Sequence, residues 1–231
     1  MCDDMSFTGF NRKGLTFLKQ IEMNNNALWF HEHKQDYTDF LLAPMQSLFL
    51  ELANTMQTID PQFMIDPRPG KGITRPHRDT RFSADKSPYK RSIWFTYHRA
   101  IKEWQEYPAF YFEIMQKSYR FGMGYFLASR PTMNTLREMI VKDEKRFRNA
   151  LKPVKKLHYS VEGDTYARPL KELYPDLSEW YNRKNVYLIC ERKHDDLFFS
   201  SELGKEIGKN FASLAPLYRF LYEACDNAKI L

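Results

Sequence analysis

Between residues 75 and 90 the chain reads Arg75-Pro76-His77-Arg78-Asp79-Thr80-Arg81-Phe82-Ser83-Ala84-Asp85-Lys86-Ser87-Pro88-Tyr89-Lys90. Arg75, Arg78 and Arg81 recur every third residue, and a guanidinium fork suits two-point binding of a carboxylate or phosphate. Thr80 and Ser83 add hydroxyl donors, and Lys86 and Lys90 add point charges. Asp79 and Asp85 have two possible uses: orienting an arginine, or accepting a proton as general base. Phe82, Pro88 and Tyr89 are expected to pin the segment to the core. The alternative is an ion-pair network in which the two aspartates simply fix a long loop. Five Arg/Lys side chains face only two Asp within the run, so three positive charges must find distant acids, water or a ligand.

Other candidates have plainer readings. His31 and His33 lie two residues apart, about 200° around a helix, too divergent to share a metal. His77 sits inside the run as a candidate proton shuttle, ranked below its neighbours. Gly122 and Gly124 fall in strand context, where glycine marks a bulge or a close backbone approach, and no dinucleotide fingerprint follows them. Trp29 and Phe30 read as core. The sequence has no Walker A, HExxH, GxSxG or zinc-type Cys/His spacing. No metal site is expected, and the sequence names no cofactor.

The charge is uneven. Of 231 residues, 35 are Lys or Arg and 29 Asp or Glu, a formal net charge of +6. Residues 66–91 hold eight basic and three acidic side chains, and residues 130–156 hold nine and three. The body between and around them is slightly acidic. The second segment is either a polyanion-binding stripe or a solvated helix face, with Arg137 as a candidate to reach inward toward the 75–90 run.

Several elements must position these groups. Residues 10–58 carry helical periodicity with a break at Asn24–Asn26, and Pro44 opens a new helix or kinks a long one. From Asp60 to Lys90, five prolines and two glycines deny regular structure. Residues 93–97, 110–115 and 118–127 have strand composition. Residues 132–149 predict one helix capped by Ser129 or Thr132. Residues 186–190 predict a strand, and 201–226 a helix or two divided near Pro216. The fold expected is α+β: a single domain over 5–228, with an antiparallel sheet from the middle of the chain packed against N-terminal, middle and C-terminal helices. An aromatic fraction of 16% argues against disorder. No apolar run is long enough to span a bilayer, and the opening MCDDMSFTGF lacks the pattern of a secretory signal. Three unpaired-looking cysteines, Cys2, Cys190 and Cys225, suit the cytoplasm.

The 75–90 run resembles the RxxRDxRFSxDKxPYK signature of the DUF2461 family. Asn25 with Trp29-Phe30, Lys34, Tyr37 and Pro44 is similar to the family's N-terminal pattern. Gly122-Met123-Gly124 with Leu136-Arg137 and Ile140 resembles its glycine strand and following helix. Arg168-Pro169, Pro175 and Lys184 resemble its C-terminal segment. The likeness runs from Phe7 to Leu188. It implies a cytoplasmic α+β domain and brings no established reaction with it.

Three functions are therefore expected as alternatives. The first is a pocket, in an enzyme or a binding protein, for an anionic small molecule. Its ligand contacts are Arg75, Arg78, Arg81, Ser83, Lys86, Tyr89, Lys90 and Arg137, with Asp79 and Asp85 as candidate catalytic groups. The second is a nucleic-acid module using both basic segments, with Tyr89 or Trp94 stacking on bases. The third is an interaction domain in which the signature is a structural clamp.

Overall fold

Asparagines start the first helices. In the computed structural model, which describes residues 6–229, the Asn11 side chain accepts from the Gly14 N–H and opens α1 (Arg12–Met23). After the break, Asn26 accepts from the Trp29 N–H and opens α2 (Ala27–Glu32). These are N-caps that satisfy otherwise orphaned helix donors. The short α3 (Lys34–Tyr37) runs through a π-helical turn (Thr38–Leu42) into α4 (Ala43–Ile59). Pro44 lies in the first turn of α4, so the helical register changes where the proline withdraws its N–H.

The middle of the chain forms β1 (Ile93–Tyr97), β2 (Pro108–Ile114) and β3 (Ser118–Tyr125) as a meander. Next come α5 (Arg130–Lys142), α6 (Glu144–Lys156), β4 (Ser160–Glu162), α7 (Pro175–Tyr181), β5 (Tyr187–Lys193), α8 (Glu202–Ser213) and α9 (Ala215–Ala228). The five strands form one antiparallel sheet in the order β1-β2-β3-β5-β4. The single helix expected over 132–149 is instead two. Asp143 ends α5, and its side chain accepts from Arg146 N–H to start α6. Of the two proposed caps, Ser129 holds the start of α5.

Alternation along the strands sorts the sheet into two faces. Phe95, Phe110 and Phe121 point to the helices, where they meet Phe49 of α4, Tyr218 of α9 and Phe211 of α8. Tyr125 completes this side by donating its hydroxyl to the Leu221 carbonyl at 2.6 Å. Trp94, Thr96, Tyr111, Glu113, Arg120 and Tyr187 point the other way and are only partly covered. The helices therefore bury one face and leave the other open. Among the described residues, no helix is long and apolar enough to cross a membrane. Cys190 and Cys225 are free thiols, and Cys2 lies outside the described residues.

Candidate functional site

The signature run folds as a narrow ribbon. Arg78 N–H donates to the Pro88 carbonyl and Lys90 N–H to the Pro76 carbonyl, both at 2.8 Å, with His77 opposite Tyr89. Its base is fixed from the N-terminal helices. Tyr89 is buried and stacks on Phe30 at 4.0 Å. The Asn25 amide donates to the Tyr89 carbonyl and accepts from the Tyr89 N–H, both at 2.9 Å. One side chain thus supplies both ladder bonds that a neighbouring strand would have made.

The tip closes on its own charges. Arg78 Nη1 donates to Asp85 Oδ2 at 2.6 Å and to Ser87 Oγ at 2.9 Å, and its Nη2 reaches Ser83 Oγ at 3.3 Å. Asp85 also accepts from the Ser87 N–H and hydroxyl. Arg81 forks onto Asp79, with Nε at 3.0 Å and Nη2 at 2.6 Å, and Lys86 caps the Thr80 carbonyl at 2.9 Å. Phe82 does not pin this segment to the core. It is 95% exposed, with the Arg81 guanidinium 5.7 Å from its ring centroid, because the polar closure of the tip turns the residue between Arg81 and Ser83 outward.

Hydrogen bonds from Arg81 hold the Asp79 carboxyl down at about 2. Those from Ser87 and Arg78 hold Asp85 well below the usual carboxylate range. Carboxylates with so little proton affinity are weak bases at neutral pH, and both already orient an arginine. The cations are less balanced. Among the described residues, Arg75, Lys86 and Lys90 have no carboxylate within 4.0 Å. Lys90 is half-buried, with Nζ on the carbonyls of Arg75 at 2.7 Å and His77 at 2.6 Å. Burial, then the charges of Arg75 and Arg78, push its ammonium pKa down. It lies 5.2 Å from the Trp94 ring centroid. Arg78, Asp79, Asp85, Lys90, Arg91, Ser92 and Trp94 surround a shallow hollow of about 470 Å³.

Trp94 also borders a second and larger cavity, about 680 Å³, on the open face of the sheet. Its floor lacks side-chain bulk. Ala109 pairs with Gly124, and at Gly124 a Cβ would meet the Tyr187 backbone at 2.3 Å, so β5 can pack close only against glycine. Aromatic walls come from Trp94, Trp104, Tyr111, Phe126 and Tyr187. Glu113 accepts from Ser92 at 2.7 Å and from Arg120 at 2.7 Å, which links the base of the ribbon to this cleft. Apart from Trp94, none of these wall residues stood out in the sequence. The available signal was period-two alternation in β1, β2 and β3, which puts Trp94, Tyr111, Glu113 and Arg120 on one face.

Arg137 is placed elsewhere. It is buried in α5, where it donates to the carbonyls of Tyr181 at 2.8 Å and Arg183 at 2.6 Å and to Asn134 Oδ1 at 2.8 Å. The idea that it reaches the signature run is overturned, because the end of α7 takes its donors. In the second basic segment, Arg146 pairs with Glu223 at 2.5 Å, and Arg148 pairs with Asp176. Part of that positive charge is thus neutralised locally. His33 stacks on Trp29 at 4.2 Å, while His31 is exposed. No group of three or more potential metal ligands occurs among the described residues.

Comparison with known families gives a match over residues 13–220 to a family described as conserved hypothetical protein, DUF2461. The chain belongs to the DUF2461 family. A search of curated proteins finds no match. In this DUF2461 chain the signature is the ribbon just described, and the N-terminal Asn25 of the family pattern is its anchor.

Proposed function

We propose that this DUF2461 protein binds an anionic small molecule in the cytoplasm. A phosphate or carboxylate would sit in the hollow beside the ribbon, and the body of the ligand would lie over Trp94 into the sheet cleft. The observation that carries this reading is Lys90: a half-buried ammonium bound to two backbone carbonyls, with no carboxylate within 4.0 Å among the described residues, lining the hollow beside Trp94, the residue that hollow and cleft share. Such a charge has most of its desolvation already met and lacks an anion. In this arrangement Arg78 and Lys90 hold the ligand, with Arg75 contributing field. Arg81 and Lys86 serve mainly to shape the tip, and Ser83 and Asp85 hold Arg78 in position. Asp79 orients Arg81.

A thermal-shift screen of phosphorylated and carboxylated metabolites, followed by calorimetry, tests the reading. The expected result is a ligand whose affinity falls at least about tenfold in Lys90→Met and much less in Arg81→Ala, since one lost charge-assisted bond is worth about 1.5–3 kcal/mol. A ligand that binds both variants as it binds the parent removes the hollow from consideration. The nucleic-acid reading rests on a different observation: the exposed Phe82 ring beside Arg81, an arrangement able to stack on a base. It predicts oligonucleotide affinity that falls steeply with salt and is lost in Phe82→Ala.

A further inference from the structure

The sheet cleft has a chemical character opposite to that of the hollow. Arg120 and Glu113 neutralise each other at 2.7 Å. Glu162 and Asp164, which line the far side, have no Lys or Arg within 4.0 Å among the described residues, and their carboxylates receive no side-chain hydrogen bond there. The cavity as a whole thus carries an excess of two negative charges inside five aromatic walls. Glu162 pairs in register with Tyr187, and Tyr187 with Gly124, so one carboxylate stands directly beside an aromatic wall and the bare floor. Aromatic faces attract cations through their quadrupole, and the carboxylate excess adds to that attraction. A neutral ring would use the walls but leave the charge unanswered, and a second anion would be repelled.

Resting on the reading that hollow and cleft form one ligand site, we infer that the cleft receives an organic cation, a protonated amine, so that the ligand is zwitterionic. Its anionic end faces Lys90 on β1's side of the sheet, and its amine lies among Tyr111, Tyr187 and Glu162. Crossing from β1 to β4 takes four strand spacings of about 4.8 Å, so a ligand of roughly 15–20 Å fills both ends and a shorter one must choose.

The test uses the full chain and three probes: tyramine, its uncharged isostere tyrosol, and inorganic pyrophosphate. Calorimetry is expected to show tyramine binding about tenfold more tightly than tyrosol, the scale of a desolvated cation–π contact. The double variant Glu162→Gln, Asp164→Asn should reduce that preference to what the aromatic walls alone supply, while leaving pyrophosphate binding as in the parent, which also verifies folding. Equal behaviour of tyramine and tyrosol at millimolar concentration, or a preference undiminished in the double variant, overturns the inference. Loss of the anionic end alone reads out separately, as pyrophosphate affinity insensitive to Lys90→Met.

Discussion

Replacing Asn25 by alanine should detach the signature ribbon while leaving the domain folded. The side chain makes two hydrogen bonds of 2.9 Å to the backbone of Tyr89, across 64 residues of sequence. Each is worth about 1 kcal/mol net, and a peptide group left dry and unpaired costs more. Tyr89 is only 5% exposed, so water replaces the lost partner poorly and the expected cost is about 2–3 kcal/mol. For a domain of this size that corresponds to a fall in Tm of roughly 4–12 °C. Urea denaturation measures the cost, and amide exchange localises it: the Lys90 N–H, bonded to Pro76, should exchange much faster. Asn25→Asp keeps the acceptor but points an oxygen at the Tyr89 carbonyl, so it should be no milder. Asn24→Ala, which removes only an exposed bond to Gln20, should cost less than about 0.5 kcal/mol. If Asn25→Ala lost as little as Asn24→Ala, with exchange at 76–90 unchanged, the clamp would not be what holds the ribbon.

Arg78→Ala should speed amide exchange across residues 79–87, whereas Arg81→Ala should not, since Arg78 alone joins Ser83, Asp85 and Ser87. At Asp60, burial raises the carboxyl pKa, but Arg99 and Tyr218 outweigh it and the net shift is downward. Its stabilisation is therefore present above the ordinary carboxylate range and lost as pH falls below it. Asp60→Asn, which breaks this buried pairing with Arg99 at 2.7 Å, should cost about 3 kcal/mol at neutral pH in urea melts. Lys90 has a lowered pKa, so its charge disappears at a lower pH than an ordinary lysine's. Binding of sulfate, whose own charge is constant there, should weaken as pH rises, and at a lower pH than an ordinary lysine would dictate. Lys90→Arg should flatten that profile, and an unchanged profile would count against Lys90 as the anion contact.

The sheet was legible because β1, β2 and β3 alternate cleanly, and the asparagine caps marked where α1 ends and α2 begins. β4 and α7 were not, since three residues of strand carry no period and α7 offers only Leu177 and Trp180 as buried anchors. The break at Asp143 carries no local signal, because aspartate, glutamate and lysine also occur within helices; only its cap bond to Arg146 distinguishes it. The charge excess of the signature was readable as arithmetic, and Arg75, Lys86 and Lys90 are the three cations left over. Which side chains face the ligand was not readable. Phe82 and Tyr89 both looked like anchors, and only tertiary contacts with Asn25 and Phe30 separate them. The cleft depends on strand register, which brings Ala109 opposite Gly124 and opens a floor that no local pattern announces.

The four tryptophans are distributed in a way that makes the molecule its own optical probe. Trp180 is sealed in the core at 2% exposure, and Trp29 lies flat on the His33 ring. The other two, Trp94 and Trp104, both border the cleft. Emission that changes when a ligand is added at constant pH therefore comes mainly from the open face of the sheet. A titration followed by eye of the fluorimeter needs no label there, and Trp94→Phe separates the rim from the far wall.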